Sequence, residues 1–260
     1  MKGLLLAGCL LLMVGGALAQ EQGKDYLLLE DFADTPAGQL PREWKWRKQD
    51  EDKVKPYLVE GAEGRHYLAA RDSSSSVILG KETKWDPQRY PILTWCWRVK
   101  ILPPGGDERF DHTNDSAAGL YVIFSENWIG MPRQIKYVWS TTLAQGTTGR
   151  RNKVGRPFFV VLEGGEEKRG QWAFEQVDLV ADHQRFYGKP PSENTLGLGM
   201  LTDANSTHSY AEADYADLRV WTREALEQGL IGNYCSCYED PAAGLLPAAA
   251  HSQNSPRHGE

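Results

Sequence analysis

Residues 92–101, ILTWCWRVKI, alternate without a break. Leu93, Trp95, Trp97, Val99 and Ile101 project to one side, and Thr94, Cys96, Arg98 and Lys100 to the other. A period of two marks a strand with one buried face and does not fit the 3.6-residue period of a helix. Two tryptophans on the apolar side demand a deep core. Pro103-Pro104-Gly105-Gly106 ends the run, because neither residue type sustains a ladder.

The same signal recurs along the chain. YLLLEDF (26–32) is rich in strand formers, and GLYVIF (119–124) is a near-continuous apolar run, as in a strand covered on both faces. IKYVWSTTL (135–143) puts Ile135, Tyr137, Trp139, Thr141 and Leu143 on one side. RPFFVVLEG (156–164), LGLGMLTD (196–203) and AEADYADLRVW (211–221) follow, each bounded by turn residues. One short helix is predicted at 182–188, with Asp182 as N-cap and Gly188 at its end. Seven or more strands with hardly any helical period predict an all-β chain, a single antiparallel β-sandwich over residues 20–221. Beyond Trp221 the pattern breaks. Residues 222–260 are expected to hold a short helix at REALEQGLIG and then a disordered tail of Ala, Pro, Gly, Ser and His.

Lys2, the apolar run Leu4 to Val14 and the small-residue end Ala17-Leu18-Ala19 have the three parts of a signal peptide, so cleavage after residue 19 and a periplasmic or secreted protein are expected. LAGC at 6–9 resembles a lipoprotein box, but Cys9 lies inside the apolar stretch. The net charge of −6, with no basic tract, argues against nucleic acid as a partner, and no run is long enough to span a membrane. Three cysteines follow residue 19: Cys96, Cys235 and Cys237. Their odd number leaves one thiol for a small adduct or for a second chain in a disulfide-linked dimer.

Four ordered blocks carry a family resemblance: NDSAAGLYVIF (114–124), YVWS (137–140), GQWAFEQVDLVADHQRFYG (170–188) and LTDANSTHSYAEADYADLRV (201–220). Together they resemble a bacterial exported family known as domain of unknown function 3047, over roughly residues 25–221. The resemblance implies a sandwich of jelly-roll type and no assigned activity. The chain departs from the family pattern at Asn114-Asp115, Gly119 and Asn205, where the pattern carries two acids, a basic residue and an acid.

Several constellations are candidates for chemistry. Asp107, Glu108, Asp111, Asn114 and Asp115 crowd oxygens before an apolar strand; they suit a ligand or cation, and equally they suit turns, where Asp and Asn bond their own backbone. Asp203, Asn205, Thr207 and Asp214 stand at positions 1, 3, 5 and 12 of an EF-hand spacing. His208 occupies the position that loop reserves for Gly, and the flanks are strands, so a true EF-hand is excluded. A looser site for a structural calcium ion, the one cofactor suggested, competes with a plain hairpin loop. Glu212 and Asp214 share one face of the last strand, with Tyr215 and Asp217 on the other; such carboxylates serve a glycosidase or a solvated surface. Tyr137, Trp139 and Trp172 could stack on sugar rings or fill the core.

The residues with a ligand role in this reading are therefore Asn114, Asp115, Tyr137, Trp139, Trp172 and Glu212. The function expected is the binding of carbohydrate or a cell-envelope glycan. A polysaccharide-active hydrolase or lyase, and a periplasmic scaffold, are the alternatives. No nucleophile elbow, phosphate loop or dinucleotide fingerprint is present.

Overall fold

The computed structural model describes residues 25–62, 64–126, 131–151 and 155–238. The expected leader at 1–19, with Cys9, and the tail from 239 onward lie outside the described residues. Within them the chain is a β-sandwich of jelly-roll type. One sheet contains β1 (Tyr26–Glu30), β3 (Tyr57–Ala62), β4 (Arg65–Asp72), β6 (Ile92–Ile101), β11 (Ala173–Asp178) and β13 (Ala211–Trp221). Its order is β11-β6-β13-β4-β3, with β1 beside the C-terminal half of β13. The other sheet contains β2 (Lys45–Trp46), β5 (Leu79–Glu82), β7 (Ala118–Glu126), β8 (Pro132–Ser140), β9 (Thr148–Arg150), β10 (Phe158–Gly164) and β12 (Gly197–Met200). Its order is β2-β5-β12-β7-β8-β10-β9.

Among the described residues every pairing is antiparallel except one: β10 runs parallel to β8. The chain leaving β8 first lays down β9 at the sheet edge and then enters beside β8 in the same direction, so a strictly antiparallel sandwich is not what forms.

The alternation in β6 is realised as written. Leu93, Trp95, Trp97 and Val99 enter the core between the sheets, where they meet Tyr137 and Trp139 of β8, Phe124 of β7 and Tyr215 of β13. The rings of Trp95 and Trp97 meet edge-on at 5.3 Å, Trp95 lies 5.7 Å from Tyr137, and Trp97 lies 6.1 Å from Trp139. Offset and edge-on contacts of this kind are the favoured arrangements of aromatic quadrupoles.

Two local departures from the sequence pattern have clear causes. In β13, Asp217 adopts a left-handed φ of 53°, and the pairing with β6 skips from Ala216–Cys96 to Arg219–Thr94. One extra residue is accommodated there, a β-bulge. It separates Asp217 from Tyr215: beyond it Leu218 and Val220 face the core, while the buried Asp217 holds the Arg219 guanidinium, which lies over the rings of Tyr26 and Tyr234. The helix, α1 (Leu179–Tyr187), starts three residues earlier than expected. Its N-cap is Asp178, whose carboxylate accepts from the amides of Val180 and Ala181, and it stops at Gly188 with φ 76°. Asp182 instead accepts a hydrogen bond from the Tyr137 hydroxyl at 2.8 Å.

After β13 the chain turns into a second short helix, α2 (Arg223–Glu227), capped by Thr222, and runs back over the outer face of the first sheet. Cys235 forms a disulfide with Cys96, Tyr234 stacks on Trp221, and Tyr238 lies 5.0 Å from Trp172. Residues 222–238 therefore pack as part of the fold.

Candidate functional site

The outer face of the second sheet is open, and its shape follows from residue size. On β7, Leu120, Val122 and Phe124 point to the core, so Tyr121 and Ile123 point outward; on β8, Ile135 and Tyr137 point inward, so Gln134 and Lys136 point outward. At the middle of the sheet the outward positions are glycines: Gly80 on β5, and Gly197 and Gly199 on β12. With no side chain there, the surface sinks into a groove of about 1260 Å³. It crosses β2, β5, β12, β7, β8 and β10, and six strands spaced ~4.8 Å apart span ~24 Å. Gly197 is obligatory, since a Cβ there would lie 2.3 Å from the Lys81 carbonyl; at Gly80 the nearest atoms would be 3.8 Å away.

One end of the groove is walled by two loops, 102–117 and 201–210, and the polar residues before β7 hold them. Asp115, wholly buried, accepts from the amides of Ser206 at 3.1 Å and Thr207 at 2.6 Å. Asp72 accepts from the amides of Ser75, Ser76 and Ala204. Asp107 pairs with Arg109, and Asp111 with Arg151. Turn and loop chemistry is thus what most of these acids do. Glu108, also buried, accepts from the hydroxyls of Ser116 at 2.8 Å and Ser140 at 2.6 Å. The same Ser116 oxygen accepts from Lys136 Nζ at 2.9 Å. Next to them Asp203 faces the groove; burial pushes its carboxyl up to about 6, with Asp115 adding to the rise and Lys136 opposing it.

The long walls carry Trp46, whose indole N–H donates to Glu51, and the ring of Tyr121. Seven cations are spread along them: Lys45, Arg47, Lys81, Lys84, Lys136, Arg151 and Arg156.

The residues singled out in the sequence fall into three places. Asn114 and Asp203 line the groove, and Asp115 supports its wall from beneath. Tyr137 and Trp139 are fully buried between the sheets and present no ring to a ligand, because the even positions of β8 face outward and the odd ones face the core. Glu212 and Asp214 belong to the other sheet, and Trp172 stands just before its strand β11. Trp172 lies beneath the C-terminal segment with the Arg98 guanidinium 4.7 Å away, and Glu212 pairs with Arg71 and Lys100. Asp214 is held by Arg98 through Oδ2 and by Lys100 through Oδ1. Asp203, Asn205, Thr207 and Asp214 consequently do not surround one point. Among the described residues no group of three or more His, Cys, Asp or Glu side chains is placed to hold a metal ion, and no helix is long and apolar enough to cross a membrane.

Sequence reasoning missed Lys45, Trp46, Lys84, Tyr121, Lys136, Arg151 and Arg156. They come from separate strands and loops and form no local motif. The one available signal was Lys136, a lone cation in the apolar run IKYVW.

Among solved structures, the chain is similar to the family 30 carbohydrate-binding module of the Clostridium thermocellum cellulosomal cellulase Cel9D-Cel44B. The two are 10% identical over 72% of this chain and 87% of that one, with a TM-score of 0.38. It is also similar to the xyloglucanase domain of NopAA from Sinorhizobium fredii, at 10% identity over 72% and 98% of the two chains and a TM-score of 0.38. The catalytic domain of Humicola grisea Cel12A shares 12% identity over 76% and 93%, with a TM-score of 0.37. Likeness at this level says nothing of a ligand here. Among curated proteins none matches the chain. A family model described as protein of unknown function (DUF3047) matches residues 42–219.

Proposed function

The chain belongs to the DUF3047 family of proteins of unknown function, and we propose that it binds a polysaccharide in the groove on the outer face of its second sheet. The observation that carries this reading is the form of the groove: open, elongated, floored by glycines and crossing six strands. A compact metabolite is better served by a deep, largely enclosed pocket. An extended polymer needs a trough that its backbone can lie along. Trp46 and Tyr121 offer ring faces for the C–H surfaces of sugars, and Asn114, Gln134 and Asp203 offer polar atoms for hydroxyls.

The Cys96–Cys235 disulfide supports an oxidising compartment, and export to the periplasm or beyond, with the leader expected at 1–19, is part of the proposal.

Gly80→Leu tests the reading. A side chain at this position has room against the sheet and projects into the trough. The parent should be retarded by soluble polysaccharides in affinity electrophoresis. The variant should lose that retardation and melt within a few degrees of the parent. Retained binding in a folded Gly80→Leu variant would place the ligand elsewhere. Release of new sugar ends from the bound polymer would move the protein into the enzyme class.

A further inference from the structure

We propose that the ligand of this groove is an acidic polysaccharide, bound through its repeating carboxylates by the cations of the groove walls. The inference rests on the groove being the glycan site and adds the charge class of the glycan.

The distribution of charge is its first support. The chain as a whole carries −6. The groove is lined by seven cationic and four acidic side chains, a local net of +3. A cationic trough in an acidic protein concentrates a polyanion in the trough and repels it from the remaining surface.

The second support is what those cations do in the folded chain. Arg47 is paired with Asp50, Arg151 with Asp111, and Lys81 with Glu30 and Glu43. Lys45, Lys84, Lys136 and Arg156 make no ion pair among the described residues. Exposed lysines at 45 and 84 are unremarkable alone. Lys136 is not, because it is only 3% exposed. An ammonium taken out of water loses hydration and normally regains it from a carboxylate. Here Ser116 takes one of its three N–H groups, and the ring of Tyr121 lies 5.5 Å from Nζ. The nearby acids do not fill the place: both oxygens of Glu108 accept from serine hydroxyls, and Asp203 makes no ion pair with the ammonium among the described residues.

Space for this arrangement depends on Gly119. A Cβ on that residue would fall 2.7 Å from Lys136 Cε, so the glycine lets the lysine stem lie flat on β7 and deliver its charge to the groove floor. A ligand carboxylate would supply the counter-charge that the fold withholds. The rim lysines on β2 and after β5 would meet further carboxylates along the polymer.

The test uses the full chain and four probes: polygalacturonate, dextran sulfate, a neutral glucan and a single-stranded oligonucleotide. Affinity is read at low ionic strength and in about 1 M NaCl, where the screening length falls to about 3 Å. Polygalacturonate should bind best, and the salt should weaken it by about tenfold or more. Lys84→Glu and Lys45→Glu, both at exposed sites, should each weaken it about tenfold, a larger loss than either causes for the neutral glucan. Lys136→Met keeps the stem and removes the charge, and should abolish polygalacturonate binding in a protein that still melts cooperatively. Neutral glucan bound as tightly as polygalacturonate would overturn the charge class and leave the groove reading standing. Dextran sulfate or DNA bound equally well would reduce the effect to general polyanion attraction and overturn the proposal. No retention of any probe would remove both readings.

Discussion

The indole N–H of Trp97 donates to Oε1 of Glu175 at 2.9 Å, between the neighbouring strands β6 and β11. Burial raises the Glu175 carboxyl to about 8, Glu163 adds to the rise, and the Trp97 bond and Lys168 oppose it. The folded protein thus keeps a proton on Glu175 that the unfolded chain gives up near 4.5. A raised carboxyl favours the folded state at low pH and costs stability as pH climbs. The loss begins near pH 4.5 and is complete once pH passes about 8. Glu175→Gln, which keeps the shape and cannot ionise, should remove that loss. The stability difference, variant minus parent, should rise through this window by up to ~1.4 kcal/mol per pH unit. Denaturant melts across the range measure it, and parallel curves would rule Glu175 out as the group responsible.

Trp139 and Trp46 should separate fold from binding. Trp139 is wholly buried among Trp97 and its neighbours, so Trp139→Ala should cost about 3–5 kcal/mol of stability. Trp46 is half-buried on the groove wall, and Trp46→Ala should weaken polysaccharide binding by about 1–3 kcal/mol, the scale of a stacked ring. Thermal melts alongside affinity electrophoresis should show the two variants failing in different assays. A normal melt for Trp139→Ala would contradict its core placement.

The Cys96–Cys235 bridge joins residues 139 apart in sequence. Closing so long a loop restricts the unfolded chain, so Cys96→Ser should cost about 2–5 kcal/mol. Thiol counting on the denatured protein, in a form that begins after residue 19 and so lacks Cys9, should find one free thiol, that of the exposed Cys237. Three thiols would show that the bridge does not form, and none with a doubled mass on a non-reducing gel would show Cys237 joining two chains.

Asp115 should matter through the loop it restrains. Asp115→Ala leaves the amides of Ser206 and Thr207 without their acceptor, at a cost of about 1–3 kcal/mol. Hydrogen exchange at residues 206 and 207 should quicken well before the core strands do. Unchanged exchange there would mean that the loop is held by other contacts.

How far these features could be read in advance depends on their range. β6 was legible because its face is set by alternation inside ten residues, and the burial of Trp95 and Trp97 follows directly. Tyr137 and Trp139 obey the same rule, and their fixed phase places them inside, where neither ring can serve a sugar. The bulge at Asp217 was not legible, since an extra residue alters nothing in composition and still reverses which face every later residue occupies. The parallel step from β8 to β10 depends on where a long connection returns. Least legible was the groove. Its floor is defined by missing side chains at Gly80, Gly197 and Gly199, and its cations converge only after strands distant in sequence become neighbours.

Residues 222–238 lie over one outer face of the sandwich, fastened by Cys235 and by the rings of Tyr234 and Tyr238. The molecule is therefore one-handed in its use of surface. If the open face is the glycan site proposed above, the covered face leaves each copy one sheet surface for a polymer, a valency of one. Such a copy would ride along a polymer or mask a stretch of it. Tying two polymers together would take a second copy.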